Sequence, residues 1–352
     1  MTHRCAYPCL AEEREQSGAA RSLSFLLLSR DVRAIIARMS KLRRLILPKW
    51  YYVVMLLSAS TLCAGAEPPR ASSAQFQEQL EAIASGFGGK VALAGVNLKT
   101  GERFGIASDR PVATASTIKL PIMVEVFYQV KEGKLTWSQP VTVTDFDRVD
   151  GSGILQFLSP EARLTLADAV TLMIDLSDNT ATNVVIHLVG VEAVNARMRQ
   201  LGLQNTKLFR YVYHEVQPET AEMKQFGLGV TTADDMVLLL TLIQQRKILS
   251  PADCDRMLQI LGQQQDNDAF PRYTGSIAGV TWAHKTGALD AVRNDVGIAE
   301  TPAGPIVLAG FAYDSPDHQW TADNAALLVL GQLGRAVLEH FVPAAPAPKI
   351  SP

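Results

Sequence analysis

Strand-type alternation is confined to the two ends of the globular part of this chain, and the long middle carries helical spacing instead. Val91 to Leu98 alternates, Thr100-Gly101 makes a turn and Arg103 to Ala107 returns, which predicts a hairpin. Strand-like runs resume only at Val280 to Lys285, Asp295 to Glu300 and Ile306 to Tyr313. Between them, Leu166 to Leu176, Asn179 to Leu188, Val191 to Leu201, Thr232 to Gln244 and Pro251 to Leu261 space their apolar residues as helices do. Ala74 to Ala84 predicts an opening helix, stopped by Gly86-Phe87-Gly88-Gly89, and Ala322 to Phe341 a closing one. Strands at both ends with helices between them predict an α/β chain of the α+β kind: one antiparallel five-stranded sheet formed by both termini, flanking helices, and an inserted all-helical subdomain over about residues 140–270. A cleft between the two parts is the natural place for a site.

Composition supports a packed body: 47% of residues are hydrophobic and 19% charged. Charge is uneven. Residues 1–66 hold ten Lys+Arg against four Asp+Glu, which leaves 23 against 31 in the remainder, a net −8. An acidic body argues against nucleic acid as a partner. The six histidines show no close ligand spacing and the cysteines (Cys5, Cys9, Cys63, Cys254) form no C-x-x-C, so no metal and no cofactor are expected.

The front end has the pattern of an address rather than a fold. Basic residues after Met39 precede an apolar run from Trp50 that ends in Ala64-Gly65-Ala66, which predicts a signal peptide over 39–66 cut after Ala66, and a secreted, periplasmic product. The competing reading is a retained membrane anchor, which Pro48 and Lys49 interrupt. Leu62 argues against a lipid on Cys63. Residues 1–38 are expected to be an upstream extension, 67–343 the catalytic domain, and the Pro/Ala-rich residues 344–352 a frayed tail. After cleavage only Cys254 would remain, so no intramolecular disulfide is expected.

Three short motifs then fall in order: Ser116-Thr117-Ile118-Lys119, Ser177-Asp178-Asn179 and Lys285-Thr286-Gly287. Ser116 to Gln129 has helical spacing, with Pro121 in its first turns, where missing amide donors are tolerated. Positions i and i+3 of a helix share a face, so the Lys119 amine can take the Ser116 hydroxyl proton. A serine at a helix start also has free backbone amides and a favourable dipole for an oxyanion. Plainer readings stand beside these. Ser116 could only cap a helix, Asp178 reads as a structural hydrogen-bonding residue, His284 as a strand residue facing the sheet's other side, and His187 and His214 as ordinary helix or loop positions.

The ordered trio, each member in its expected setting, resembles the class A β-lactamases and related penicillin-recognising serine hydrolases, over roughly Gln75 to Glu339. The resemblance implies Ser116 as nucleophile, Lys119 as its base or hydrogen-bond partner, and Ser177 as the relay of a proton toward the leaving nitrogen. It implies that Asn179 binds the substrate's side-chain amide. Lys285 would supply positive potential near the substrate carboxylate, Thr286 would donate to that carboxylate, and the amides of Ser116 and of Ala288, after Gly287, would hold the oxyanion. Arg293 matches a second carboxylate-binding arginine, across a turn one residue short. Two lysines near one anion repel each other, which should lower the proton affinity of Lys119. In a net acidic body, Lys119, Lys285 and Arg293 would form a local positive cleft. The implied partner is a small β-lactam or D-alanyl peptide, bound by a monomer, without nucleic acid and without a membrane after signal cleavage.

One departure stands out. Aligning Arg210 with the arginine that opens the family's loop puts Val212 where a deacylating glutamate belongs. Glu215 is the nearest carboxylate and the candidate base, with Glu219 and Glu222 further on, and the plain alternative is that all three are solvated loop charges. Gly151-Ser152-Gly153-Ile154-Leu155 and the rewritten loop resemble the looser, class A-related group. A β-lactamase, a cell-wall peptidase or esterase, and a protein that traps β-lactams after one acylation all remain open.

Overall fold

The structure, a computed structural model, describes residues 72–342. The signal peptide over 39–66, the extension 1–38, Cys5, Cys9, Cys63 and the tail 344–352 lie outside the described residues. Helix α1 (Ser73–Ser85) opens with a capping box between Ser72 and Gln75 and buries Phe76 and Leu80. The hairpin β1 (Lys90–Asn97) and β2 (Arg103–Ile106) follows as expected, and then a short β3 (Val112–Ala113). A 3-10 turn over Ala115–Ile118 leads into α2 (Lys119–Lys131).

The middle holds β4 (Pro140–Val141), β5 (Leu164–Thr165), α3 (Leu166–Asp175), α4 (Asn179–Val189) and α5 (Val191–Gln200). It continues through β6 (Lys207–Leu208), α6 (Ala221–Phe226), β7 (Gly229–Thr231), α7 (Ala233–Gln244) and α8 (Pro251–Leu261). The chain then returns to the sheet with β8 (Thr281–Leu289), β9 (Val292–Glu300) and β10 (Ile306–Tyr313) and closes on α9 (Ala325–Phe341).

The five long strands form one antiparallel sheet in the order β2-β1-β10-β9-β8. Alternation along β1 shows why the sheet needs cover on both sides. Val91 and Leu93 face a cluster with Phe76 and Leu80 of α1 and Leu330 and Phe341 of α9. Ala92, Ala94 and Val96 face the larger cluster built with α2, α3, α4, α7 and α8. Each fully buried Leu, Ile or Phe in these clusters contributes about 1.5–3 kcal/mol.

Two features differ from the reading by periodicity. The pairings β3-β7-β6 and β4-β5 were not expected, because strands two or three residues long show no alternation to read. The helical insertion also reaches the sheet: α7 packs on β1 and β10, and the described residues belong to one compact unit.

Candidate active site

Ser116 sits in the 3-10 turn that precedes α2, directly after Ala115, whose φ of 45° is left-handed. Ser177, between α3 and α4, is left-handed as well, at φ 52°. Such conformations cost energy in residues with a Cβ and persist where the surroundings over-determine them. Here both lie on the same groove, a cavity of about 440 Å³ lined by Ser116, Ser177, Asn179, Thr286, Gly287 and Ala288 among others.

Lys119, the first residue of α2, is fully buried beneath this groove. Its amine donates to Ser177 O at 2.7 Å, to Ser177 Oγ at 3.1 Å and to Asn179 Oδ1 at 2.9 Å. None of its hydrogen bonds goes to Ser116, which lies one turn away on the groove wall. Burial first, and then the charge of Lys285, holds the Lys119 pKa well below that of an ordinary lysine, while Asp178 opposes the shift. The neutral amine can therefore be reached, and Ser177 Oγ can rotate to donate to its lone pair.

Asp178 organises the second motif, as its structural reading anticipated. Its Oδ1 caps α4 by accepting from Ala181 N at 2.8 Å, and its Oδ2 accepts from Ile154 N and Leu155 N at 2.7 and 2.8 Å. The loop over 151–155 is thereby fastened to the motif. Gly153 is required there, because a Cβ would come within 2.2 Å of the Asp178 carboxyl carbon. Asn179 Nδ2 donates to Asp150 O at 3.1 Å, which leaves one amide hydrogen for a ligand.

The third motif lies within β8, on the edge of the sheet. Lys285 is fully buried and its amine donates to Thr286 O at 2.8 Å. Burial lowers its pKa to about 8, against the opposing charges of Asp266, Asp295 and Asp175. Gly287 packs on the nucleophile's own backbone: a Cβ there would stand 3.0 Å from Ser116 N and 3.1 Å from Thr117 N. Asn294, directly across from Gly287 on β9, donates to Ala113 O and Thr114 O at 2.9 and 3.1 Å and so ties the strand pair to the segment before Ser116. Asn294 was not singled out from sequence, since an asparagine in a strand carries no pattern.

The groove takes in most, but not all, of the expected residues. Arg293, like Lys119 and Lys285, is not among the residues that line it. Arg293 pairs with Ala288 and so lies on the face of Ala288 and Thr286, but its guanidinium is held elsewhere. Its guanidinium donates to the carbonyls of Leu289, Val292 and Gln319 and lies 4.6 Å from the centre of the Trp320 ring. It is 3% exposed and does not line the groove, although Trp320 does. His284 is buried on its strand with Nδ1 2.9 Å from Asp295 Oδ1, His187 lies 3.6 Å from Asp147, and His214 stacks on Phe146.

Along the loop after β6, Arg210 pairs with Glu219 at 2.9 Å and Lys207 with Glu222 at 2.9 Å, so both outer glutamates are occupied. Val212 is buried and faces the groove. Glu215 also lines the groove; it is exposed and makes no hydrogen bond or ion pair among the described residues.

A family profile described as "Beta-lactamase enzyme family" matches residues 75–341. Among solved structures, the β-lactamase from Sphaerobacter thermophilus DSM 20745 is 33% identical, with a TM-score of 0.70, covering 78% of this chain and 100% of that one. PBP-A, solved as a mutant in an acyl-enzyme complex with penicillin G, is 30% identical with a TM-score of 0.68, over 78% of this chain and 98% of that one. Beta-lactamase PSE-4 of Pseudomonas aeruginosa is 27% identical over 166 residues, which are 46% of this chain and only 56% of that protein. With the profile spanning nearly all the described residues and the fold shared end to end with the first of these structures, this chain belongs to the β-lactamase enzyme family, on its class A-like serine branch.

Proposed function

We propose that this protein is a serine hydrolase that opens β-lactam amides through an acyl intermediate on Ser116. The observation that carries the reading is the buried Lys119 amine, bonded to Ser177 and Asn179 one turn from Ser116 and directly beneath the groove. Neutral Lys119 takes the proton from Ser116 Oγ as the oxygen bonds the lactam carbonyl carbon. The amides of Ser116 and Ala288 stabilise the oxyanion. The carbon–nitrogen bond then breaks as Ser177 Oγ gives its proton to the leaving nitrogen and is resupplied by Lys119. Protonated Lys285 and the Thr286 hydroxyl hold the substrate carboxylate, and Asn179 holds the side-chain amide. Arg293 has no part in carboxylate binding in this reading, because its guanidinium is tied to backbone carbonyls.

For the second half-reaction Glu215 is the assigned base: it takes a proton from the water that attacks the acyl carbon and returns that proton to Ser116 Oγ as it leaves, Lys119 being neutral again after resupplying Ser177. A second reading, a D-alanyl peptidase, an esterase or a slowly released β-lactam trap, is favoured by one observation: an apolar side chain, Val212, faces the groove from the loop where the family places its carboxylate. Intact-mass spectrometry over time, with a penicillin in excess, tests the reading. A transient adduct of wild type, absent from Ser116→Ala, supports turnover; a permanent adduct supports trapping; adduct formation by Ser116→Ala would remove the nucleophile assignment.

We also propose that the protein is exported by the signal segment over 39–66, cut after Ala66, and acts as a periplasmic monomer. N-terminal sequencing of the exported product checks this, and a first residue other than Glu67 would refute the cut site.

A further inference from the structure

Tyr213 combines three properties that do not usually go together. It stands at φ 57°, third in a tight turn in which His214 N donates to Tyr211 O at 3.3 Å. Glycine is the residue that such a position favours, so a tyrosine there is held against its backbone preference. Tyr213 is 71% exposed and has no hydrogen bond or ring contact among the described residues, although beside it His214 stacks on Phe146 and Tyr211 meets both edge-on. It nevertheless lines the groove rather than projecting away.

The glycine opposite shows where the ring goes. A Cβ on Gly151, itself at φ 91°, would stand 2.8 Å from Asn179 Nδ2 and at the same time 3.3 Å from the Tyr213 hydroxyl and 3.4 Å from its ring edge. The phenol and the amide group of Asn179 thus border the same space, the one that the missing side chain at Gly151 leaves open. Asn179 has one free amide hydrogen at this point, and the Tyr213 hydroxyl, with no partner, can donate and accept. An open hydrogen-bond donor and an aromatic ring with a free hydroxyl beside the same space suit a flat polar group flanked by apolar surface. A secondary amide has that shape.

We propose that Tyr213 is a specificity-determining residue that selects acyl donors bearing a planar acylamino side chain beside the scissile carbonyl, its ring covering the amide and its hydroxyl bonding to it. This assignment rests on Ser116 being acylated, and names the class of substrate that the same site prefers. Donors with a free amine or no substituent at that carbon leave the slot empty and gain nothing from Tyr213.

The test compares benzylpenicillin with 6-aminopenicillanic acid, which differ only in the acyl group on that nitrogen. Second-order acylation rates are read by intact mass for wild type, Tyr213→Phe and Tyr213→Gly. Glycine suits the left-handed backbone, so Tyr213→Gly is expected to melt no lower than wild type, which separates loss of selectivity from loss of folding. The expected result is a drop of about tenfold for benzylpenicillin with Tyr213→Gly, a smaller drop with Tyr213→Phe, and no change for 6-aminopenicillanic acid. Equal effects on the two compounds, or none on either, would overturn the assignment while leaving acylation of Ser116 intact. If wild type acylates with neither compound, the hydrolase reading itself fails and takes this one with it.

Discussion

Asn183 grips the backbone of Val212 from both sides, accepting from its N–H at 2.8 Å and donating to its carbonyl at 3.2 Å. The clamp fixes the Val212 backbone and delivers an isopropyl group to the groove wall, so no carboxylate is held at that point to activate water. Glu215, three residues on, is the one loop glutamate left without an ion-pair partner among the described residues. Glu215→Gln should slow release of the acyl group by about 10²-fold or more while leaving acylation unchanged. Val212→Glu, held by the same clamp, should speed release. Single-turnover decay of the adduct measures both, and an unchanged decay rate in Glu215→Gln would exclude it as the base.

Lys285 should set the alkaline limit of substrate binding. Burial brings its pKa down to about 8, so the amine is an ammonium below that pH and neutral above it. Attraction for an anionic substrate is therefore present at pH 7 and fades as pH rises through 8. KM should climb between pH 7 and 9, with kcat less affected, whereas in Lys285→Arg, which keeps its charge, KM should stay flat across that range. A wild-type KM independent of pH would contradict this role.

Gly287 lets β8 lie against the nucleophile, since a Cβ would meet the backbone at Ser116 N and Thr114 O at 3.0 Å. Backbone cannot rotate aside as a side chain can. Gly287→Ala should therefore displace the strand from Ser116 and reduce the acylation rate by about 10- to 100-fold, as a small misplacement of a reacting group does. Stopped-flow acylation checks this, and a variant acylating at the wild-type rate would show that the contact has slack.

Arg293 should matter to stability and not to affinity. Its guanidinium satisfies the carbonyls of Leu289, Val292 and Gln319 beneath the Trp320 ring. Arg293→Ala leaves those acceptors without their donor and should cost about 1–3 kcal/mol in denaturant unfolding. KM for a penicillin should move little. A large rise in KM with unaltered stability would return Arg293 to the carboxylate site.

The catalytic trio was legible because its chemistry is local. Ser116 and Lys119 share a helical face by spacing alone, and Ser177 and Asn179 flank a residue, Asp178, whose capping role follows from its place before a helix. The partners of Arg293 were not legible, because the carbonyls that its guanidinium takes are brought to it by the hairpin turn at Leu289 and by a loop 26 residues on at Gln319. Tyr213 and Asn183 carried no signal, because each acts on a segment about thirty residues or more away, and no periodicity links such pairs.

Alternation and spacing in the sequence alone determined the sheet built from both termini, the helices between, and the kinds of group available to the site, because burial on one face of a helix or strand imprints its period on the residues. Tertiary structure alone decided which groups share the groove: that Glu215 reaches it while Glu219 and Glu222 are paired away, that Tyr213 and Asn179 border the same space at Gly151, and that Arg293 turns to backbone carbonyls. Those outcomes depend on loop registers and on the competition among nearby partners for each charge, which are properties of the packed chain and not of any stretch within it.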